Sequence, residues 1–390
     1  MFPDFNLYST PLLLLSLQGL IFAVLLLRRF FQKRNISDLF LCFILIITCY
    51  RETCFTIGFA GWYDTYRNTK INYFLMPLSL AIAPLIYFYV KSITTTKLVF
   101  SNKDWWHFLP ALLLITYRFS IYFYDASQPG FENTQNGVLK INLDEAIMMP
   151  LVEVMAAGQM LLYLAFTFQL FFHYRKKINE YFSNTYNLEL NWILSFLVVF
   201  TVLFLYDTIQ TLVGSLIIDL NYVQRWWLMF FMGLVIIYVG IKGFFTDTTK
   251  LKKLDFSFSP QRVTIPDTDE KQDLKAISVE DIEHIKRLME IDKAYLNPEL
   301  NLSDLATQAN MSRAQLSEII NAGFHKNFND FVNMYRVEAF KTMIKADKQK
   351  QLSLLGMAYE CGFNSKATFN RVFKKLTDNS PSQYLQSQSK

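Results

Sequence analysis

Four cysteines are spread over 390 residues, three of them (Cys42, Cys49 and Cys54) in one apolar segment and the fourth at Cys361, and no two form a CxxC pair. That pattern argues against a disulfide framework and against a zinc site. The four histidines, His107, His173, His284 and His325, show no ligand spacing, and the chain has no GxxxxGK[ST], GxGxxG or HExxH. No phosphate-cradling, dinucleotide or zinc-hydrolase chemistry is therefore indicated, and no cofactor, metal or catalytic residue is expected. A large excess of basic charge is lacking as well. A net charge of +5 is modest for this length, so bulk basicity does not point to nucleic acid and local charge has to make that case.

Apolar residues, by contrast, are abundant, at 52% with 16% aromatics, above the average for soluble domains. The first 245 residues hold nearly all the long apolar runs, and the remainder has an ordinary soluble composition. A bilayer core needs about 20 apolar residues per helix, since unsatisfied backbone groups are not tolerated in hydrocarbon. Seven stretches approach that length: Phe5 to Leu27, Leu39 to Phe59, Tyr73 to Val90, Trp105 to Tyr124, Ile147 to Phe172, Trp192 to Val213 and Trp226 to Phe245.

The first stretch follows Asp4, lacks a basic leader and is followed by Arg28, Arg29, Lys33 and Arg34, which suits a retained helix with its N-terminus outside. Alternating from there, the inside connections hold fourteen basic residues and the outside segments four (Arg67, Lys70, Lys140 and Arg225). Seven crossings and the positive-inside rule agree in placing the C-terminal region in the cytoplasm. Trp62, Trp105, Trp106, Trp226 and Trp227 fall at helix ends, where interfacial anchors belong.

Several ionisable residues interrupt these stretches: Arg51 and Glu52, Arg118, Glu153 and Asp207. They read either as a polar signal pocket in the bundle interior, or as interhelical pairs such as Arg118 with Glu153, or as residues near enough to an interface to reach water. Pro77 and Pro84 would kink the third helix, and Ala156, Ala157 and Gly158 offer a close packing surface. From Thr246 to Ile277 charges of both signs, Pro260 and Pro266 mark a juxtamembrane linker, with Lys250, Lys252 and Lys253 suited to anionic headgroups and Phe256 and Phe258 alternating as in a short strand.

From Ser278 the pattern is helical, opening on a Ser cap with Asp281 in the first turn. A repeat follows. Leu302, Leu305, Ala306 and Asn310 recur 52 residues later as Leu354, Met357, Ala358 and Gly362. Helix, tight turn, helix is thus encoded twice: the small residue lets the second helix cross closely, and the residue four places on must tolerate positive φ. After each turn comes a cap, Ser312 or Ser365, then a helix with a buried stripe (Leu316, Ile319, Ile320; Phe369, Val372, Phe373, Leu376).

The faces left over are Arg313, Ala314, Gln315, Ser317 and Glu318 in the first copy and Lys366, Ala367, Thr368, Asn370 and Arg371 in the second, extended by Lys374 and Lys375. A helix fits the roughly 12 Å major groove, where such side chains reach base edges and phosphates attract the basic ones. The second helix carries four basic residues and no acid, so it is expected to contribute more electrostatic affinity. Between the copies, Phe328 to Ile344 reads as one helix that would set their spacing, so that successive major grooves, roughly 34 Å apart, are read from one side.

Leu302 to Ser312, Phe328 to Arg336, Ala358 with Cys361-Gly362-Phe363-Asn364-Ser365, then Phe369, Arg371, Phe373, Lys374, Lys375 and Pro381 through Tyr384 closely resemble the AraC/XylS class of bacterial transcription regulators. The resemblance covers about the last hundred residues. It implies DNA-facing positions at Ala314, Ser317 and Glu318 and at Lys366, Ala367, Thr368 and Arg371. Asn310 stands where the family usually has glycine, and Glu318 where it is often basic. The apolar half is similar to the seven-helix sensor regions of some regulators.

The expected fold class is all-α, a helical membrane bundle of about seven helices plus a cytoplasmic double helix-turn-helix domain, divided as 1–245, 246–277 and 278–390. The expected activity is that of a one-component transcription regulator in the bacterial inner membrane. Its partners would be double-stranded promoter DNA, the lipid bilayer, an unidentified small-molecule or membrane signal, a second copy of the chain and RNA polymerase. Two other readings stand beside it: a transporter or intramembrane enzyme with an attached regulatory domain, and a helix-turn-helix region that docks protein instead of DNA.

Overall fold

The long apolar runs fold as long helices, which satisfy their backbone groups internally and leave side chains to do the packing. The computed structural model describes residues 5–65, 70–75, 78–95, 100–185, 188–217, 222–246, 278–346 and 352–388. Among these the chain is all-α, with one isolated antiparallel bridge between Phe182 and Asn301. It forms two compact units, Met1–Phe171 with Asn191–Ser259, and Phe172–Leu190 with Pro260–Lys390.

The first unit contains α1 (Ser9–Lys33), α2 (Ile36–Phe59), α3 (Ser79–Thr94), α4 (Leu109–Ala126), the start of α5 (Met149–Tyr181), α6 (Asn191–Leu216) and α7 (Trp226–Phe245). Among the described residues, six helical spans are long and apolar enough to cross a membrane: Ser9–Lys33, Ile36–Phe59, Ile71–Thr94, Lys140–Tyr181, Asn191–Gly214 and Val223–Phe245. The fourth expected stretch forms the 18-residue α4, preceded by the tight turn Asn102–Phe108, and is not among the six. Arg118 and Asp125 lower its apolar character.

Helices α1, α2 and α7 approach closely at small residues. A Cβ on Gly19 would lie 2.4 Å from Cys49 Sγ, and one on Gly233 2.6 Å from Leu15 Cδ1. At one end Arg29 clasps Asp38 through Nε and Nη2 (2.8 and 2.6 Å) and donates to the carbonyls of Gly243 and Phe244, tying all three helices together. The small patch expected to pack at Ala156 to Gly158 does not close: Gly158 faces open space, while Ala156 only borders a cluster around Leu80 and Leu114. Pro84 sits inside α3. Pro77 and the linker residues Lys250, Lys252, Lys253, Phe256, Phe258, Pro260 and Pro266 lie outside the described residues.

The second unit contains α8 (Val279–Glu290), α9 (Leu302–Gln308), α10 (Arg313–Glu318), α11 (Phe328–Lys345), α12 (Leu354–Glu360), α13 (Lys366–Thr377) and α14 (Pro381–Gln388). Its helices start where caps dictate: Ser278, Asn301, Ser312, Asn327, Ser353 and Ser365 each accept a backbone N–H from the first turn. Each such cap is worth about 1 kcal/mol. Two cores result. One gathers Ile285, Met289, Leu305, Leu316, Ile320 and Phe331; the other gathers Phe340, Met357, Phe363, Phe369 and Phe373. Helix α11 spans both, giving Phe328, Phe331 and Val332 to the first and Val337, Phe340 and Ile344 to the second. Residues 172–190, counted with the bundle in the sequence reading, pack with this unit because Ser183 is hydrogen-bonded into it.

Candidate nucleic-acid interface

Both repeats close their turn in the same way. In the first, Asn310 takes φ +52° and Met311 N–H reaches back to Ala306 O (3.0 Å); in the second, Gly362 takes φ +87° and Phe363 N–H reaches Ala358 O (3.1 Å). A left-handed residue followed by this reach-back bond ends a helix sharply and frees the chain to start another at a new angle. Gly362 has a second reason to be glycine: a Cβ there would lie 2.3 Å from the Tyr295 carbonyl oxygen.

After each turn the cap serine starts the helix that offers its outer face. Ser312 Oγ accepts from Gln315 N–H (3.2 Å) and Ser365 Oγ from Thr368 N–H (3.1 Å). Leu316, Ile319 and Ile320 are buried, as are Phe369, Val372 and Phe373. Their burial leaves Arg313, Ala314, Gln315 and Glu318 exposed on α10, with Ser317 half-buried, and Lys366, Ala367, Asn370, Arg371, Lys374 and Lys375 exposed on α13. Thr368 departs from the expected set. Its side chain is buried and its hydroxyl accepts from Ser365 Oγ at 2.8 Å, so it completes the cap and is not presented to a groove.

Two of the four basic residues on α13 meet acids. Lys375 Nζ pairs with Asp330 of α11 at 2.6 Å, and Arg371 Nη1 pairs with Glu189 at 2.5 Å. Lys366 and Lys374 project from the same helix. On α11, Arg336 is 1% exposed. Its guanidinium donates to Tyr295 O (2.9 Å), Asn297 O (2.8 Å) and Ser183 Oγ (3.1 Å), which is how a buried charge is tolerated. Burial pushes its pKa down to about 10, opposed by nearby Glu299, so it is charged at neutral pH. Because Arg336 and Gly362 meet at the same Tyr295 carbonyl, the first core and the second turn are joined there.

Of the five ionisable residues expected to line a signal pocket, Arg51 and Asp207 meet directly, whereas Arg118 and Glu153 do not pair with each other. Arg51 pairs with Asp207 (3.1 Å), and Glu52 is buried. Arg118 pairs with Asp144 (2.7 Å), which also takes Lys140 at 2.5 Å, and not with Glu153, which is exposed on α5. Asp144 carries no apolar run of its own and was therefore not a candidate from the sequence. A neighbouring cavity of about 310 Å³ is lined by Asp125, Gln128, Phe131, Asn136, Gly137 and Ile141, and Asp125 is fixed there by Tyr73 Oη (2.7 Å) and by the N–H groups of Leu139 and Lys140 (both 2.9 Å).

Residues 305–387 match the family model described as a helix-turn-helix domain, so the C-terminal region carries a helix-turn-helix domain of the AraC type. An uncharacterized HTH-type transcriptional regulator of Haemophilus influenzae is 35% identical over 89 residues, which cover 23% of this chain and 29% of that protein. The chain thus aligns with less than a third of its relative. No solved structure matches it.

Proposed function

We propose that this protein is a membrane-embedded, one-component transcription regulator. One observation carries the reading: a chain whose second unit presents the basic outer face of α13 has a first unit that turns large apolar side chains outward. Leu14, Leu17, Ile21 and Val24 of α1 and Val198, Val202, Leu205 and Ile209 of α6 are all exposed. Continuous exposed apolar surface of that kind needs lipid or protein around it. The chain divides as 1–245, 246–277 and 278–390, with residues 172–190 packed against the helix-turn-helix unit; the positive-inside count supports an outside N-terminus and a helix-turn-helix region in the cytoplasm of a bacterial cell.

In this reading Arg313, Gln315, Lys366, Asn370, Arg371 and Lys374 contact bases and phosphates of a promoter, and α11 fixes the spacing of the two reading helices. The first unit binds a signal with different affinity in two bundle conformations, as any shift of the equilibrium requires. A second copy of the chain supplies further DNA contacts, and RNA polymerase is the partner through which occupancy alters transcription.

Mapping the chromosomal DNA bound by the intact protein tests this directly. Wild type is expected to give discrete promoter peaks, and the Lys366→Ala/Arg371→Ala variant to lose them while remaining in the membrane fraction. Unchanged occupancy in that variant would sink the DNA-reading assignment.

A further inference from the structure

The chain between α5 and α6 does more than connect them. Phe182 and Ser183 lie against the second unit: Ser183 N–H and Oγ both reach Leu300 O (3.2 and 2.6 Å), and Phe182 bridges Asn301. From α11, Asn329 and Asn333 donate to Ser183 O (2.9 and 3.1 Å), and Arg336 donates to its hydroxyl. Ser183 is completely buried. This is a buried, many-bonded anchor at the junction of α9 and α11, with no acidic partner for a polyanion to displace.

Six residues on, the contact is of another kind. Glu189 is 4% exposed, held by Thr185 Oγ1 (2.8 Å) and Arg175 (3.3 Å), while Tyr174 Oη fixes Leu188 O (2.6 Å). So oriented, its Oε1 takes Arg371 Nη1 at 2.5 Å. Arg371 is the basic residue in the middle of α13, its side chain 47% exposed, and a guanidinium spent on a carboxylate is not available to a phosphate or a guanine edge. In sequence Glu189 stands between the end of α5 at Tyr181 and the start of α6 at Asn191.

We propose that this connection is an autoinhibitory latch, in which Ser183 is the fixed hinge and Glu189 the removable catch that occupies Arg371 until DNA or a shift of α5 against α6 withdraws it. The proposal rests on the reading of α13 as a DNA-contacting helix. A half-exposed ion pair of this strength is open to competition by a polyanion, whereas the buried Ser183 anchor is not. Release therefore frees the reading face without undocking the connection.

The test uses the full chain in detergent micelles and a fluorescein-labelled 40-base-pair random-sequence duplex, with binding followed by anisotropy at low salt. Glu189→Gln is expected to bind about five-fold tighter than wild type, since one basic group is restored to the DNA. Thr185→Val, which releases the aim of Glu189 without altering any charge, is expected to bind about two-fold tighter. In an Arg371→Ala background both gains disappear. The latch is overturned if the two variants, melting like wild type, bind no tighter, or if their gain persists without Arg371. If Arg371→Ala and Lys366→Ala leave wild-type binding unchanged, it is the DNA-contact reading that fails and not the latch alone.

Discussion

In the first helix-turn-helix unit the turn residue is Asn310 at φ +52° and the following helix runs six residues before loosening at Ile319–Gly323; in the second the turn residue is Gly362 at φ +87° and the helix runs twelve. The first outer face offers Arg313 against Glu318, the second four basic residues, two of them paired with acids. Caps, reach-back bonds and buried stripes are nevertheless alike. Fold and reading face are thus separable: the repeat conserves what closes the turn and packs the core, and leaves the outer positions free to diverge.

The comparison breaks hardest at the second turn. Gly362→Ala is expected to destabilise the second unit by about 3 kcal/mol, combining the left-handed penalty with the clash at the Tyr295 carbonyl, and the drop should appear in thermal melting of the solubilised chain. Asn310→Ala, with no glycine to lose, should cost about 1 kcal/mol, and equal losses at the two sites would show that the turns are not distinguished by that carbonyl. Arg336→Met, which takes the side-chain donor from the buried Tyr295 carbonyl and removes one hydrogen bond each from Asn297 O and Ser183 Oγ, should cost about 2 to 3 kcal/mol. Measured together with Gly362→Ala it should be non-additive, because both act on Tyr295 O; simple addition would separate the two cores.

The faces are compared next. Replacing Lys366 and Arg371 by alanine should lower DNA affinity by about ten-fold or more and reduce the salt slope by about 2, whereas Arg313→Ala should cost less than about three-fold. Equal effects would remove the asymmetry between copies. The smallest change is expected from Lys375→Ala: its pair with Asp330 is largely exposed, so melting should shift by the equivalent of about 0.5 kcal/mol or less.

Much of this was legible in the sequence, and for a local reason. Caps at Ser278, Ser312 and Ser365, the left-handed positions Asn310 and Gly362, and the extent of α11 all depend on residues within a few places of one another, where spacing dictates hydrogen bonding and burial. Thr368 was misplaced because position on a helix gives direction only approximately, and a hydroxyl in the first turn has a backbone and a cap to satisfy. Pairings between distant segments were not legible: Glu189 meets Arg371 across 182 residues, and Arg118 chose Asp144 over Glu153, which sits on an outer face. Periodicity says which residues point inward, not which will meet.

Helix α11 behaves as a gauge of fixed length. Because one 18-residue helix supplies three buried side chains to each core, inserting a single residue at its middle would advance one half by about 1.5 Å and turn it by about 100°, dragging one set of side chains out of its sockets. Length variation is thereby closed to this segment. If the proposed DNA reading holds, a site of different spacing would have to bend or overtwist to meet an unchanged helix.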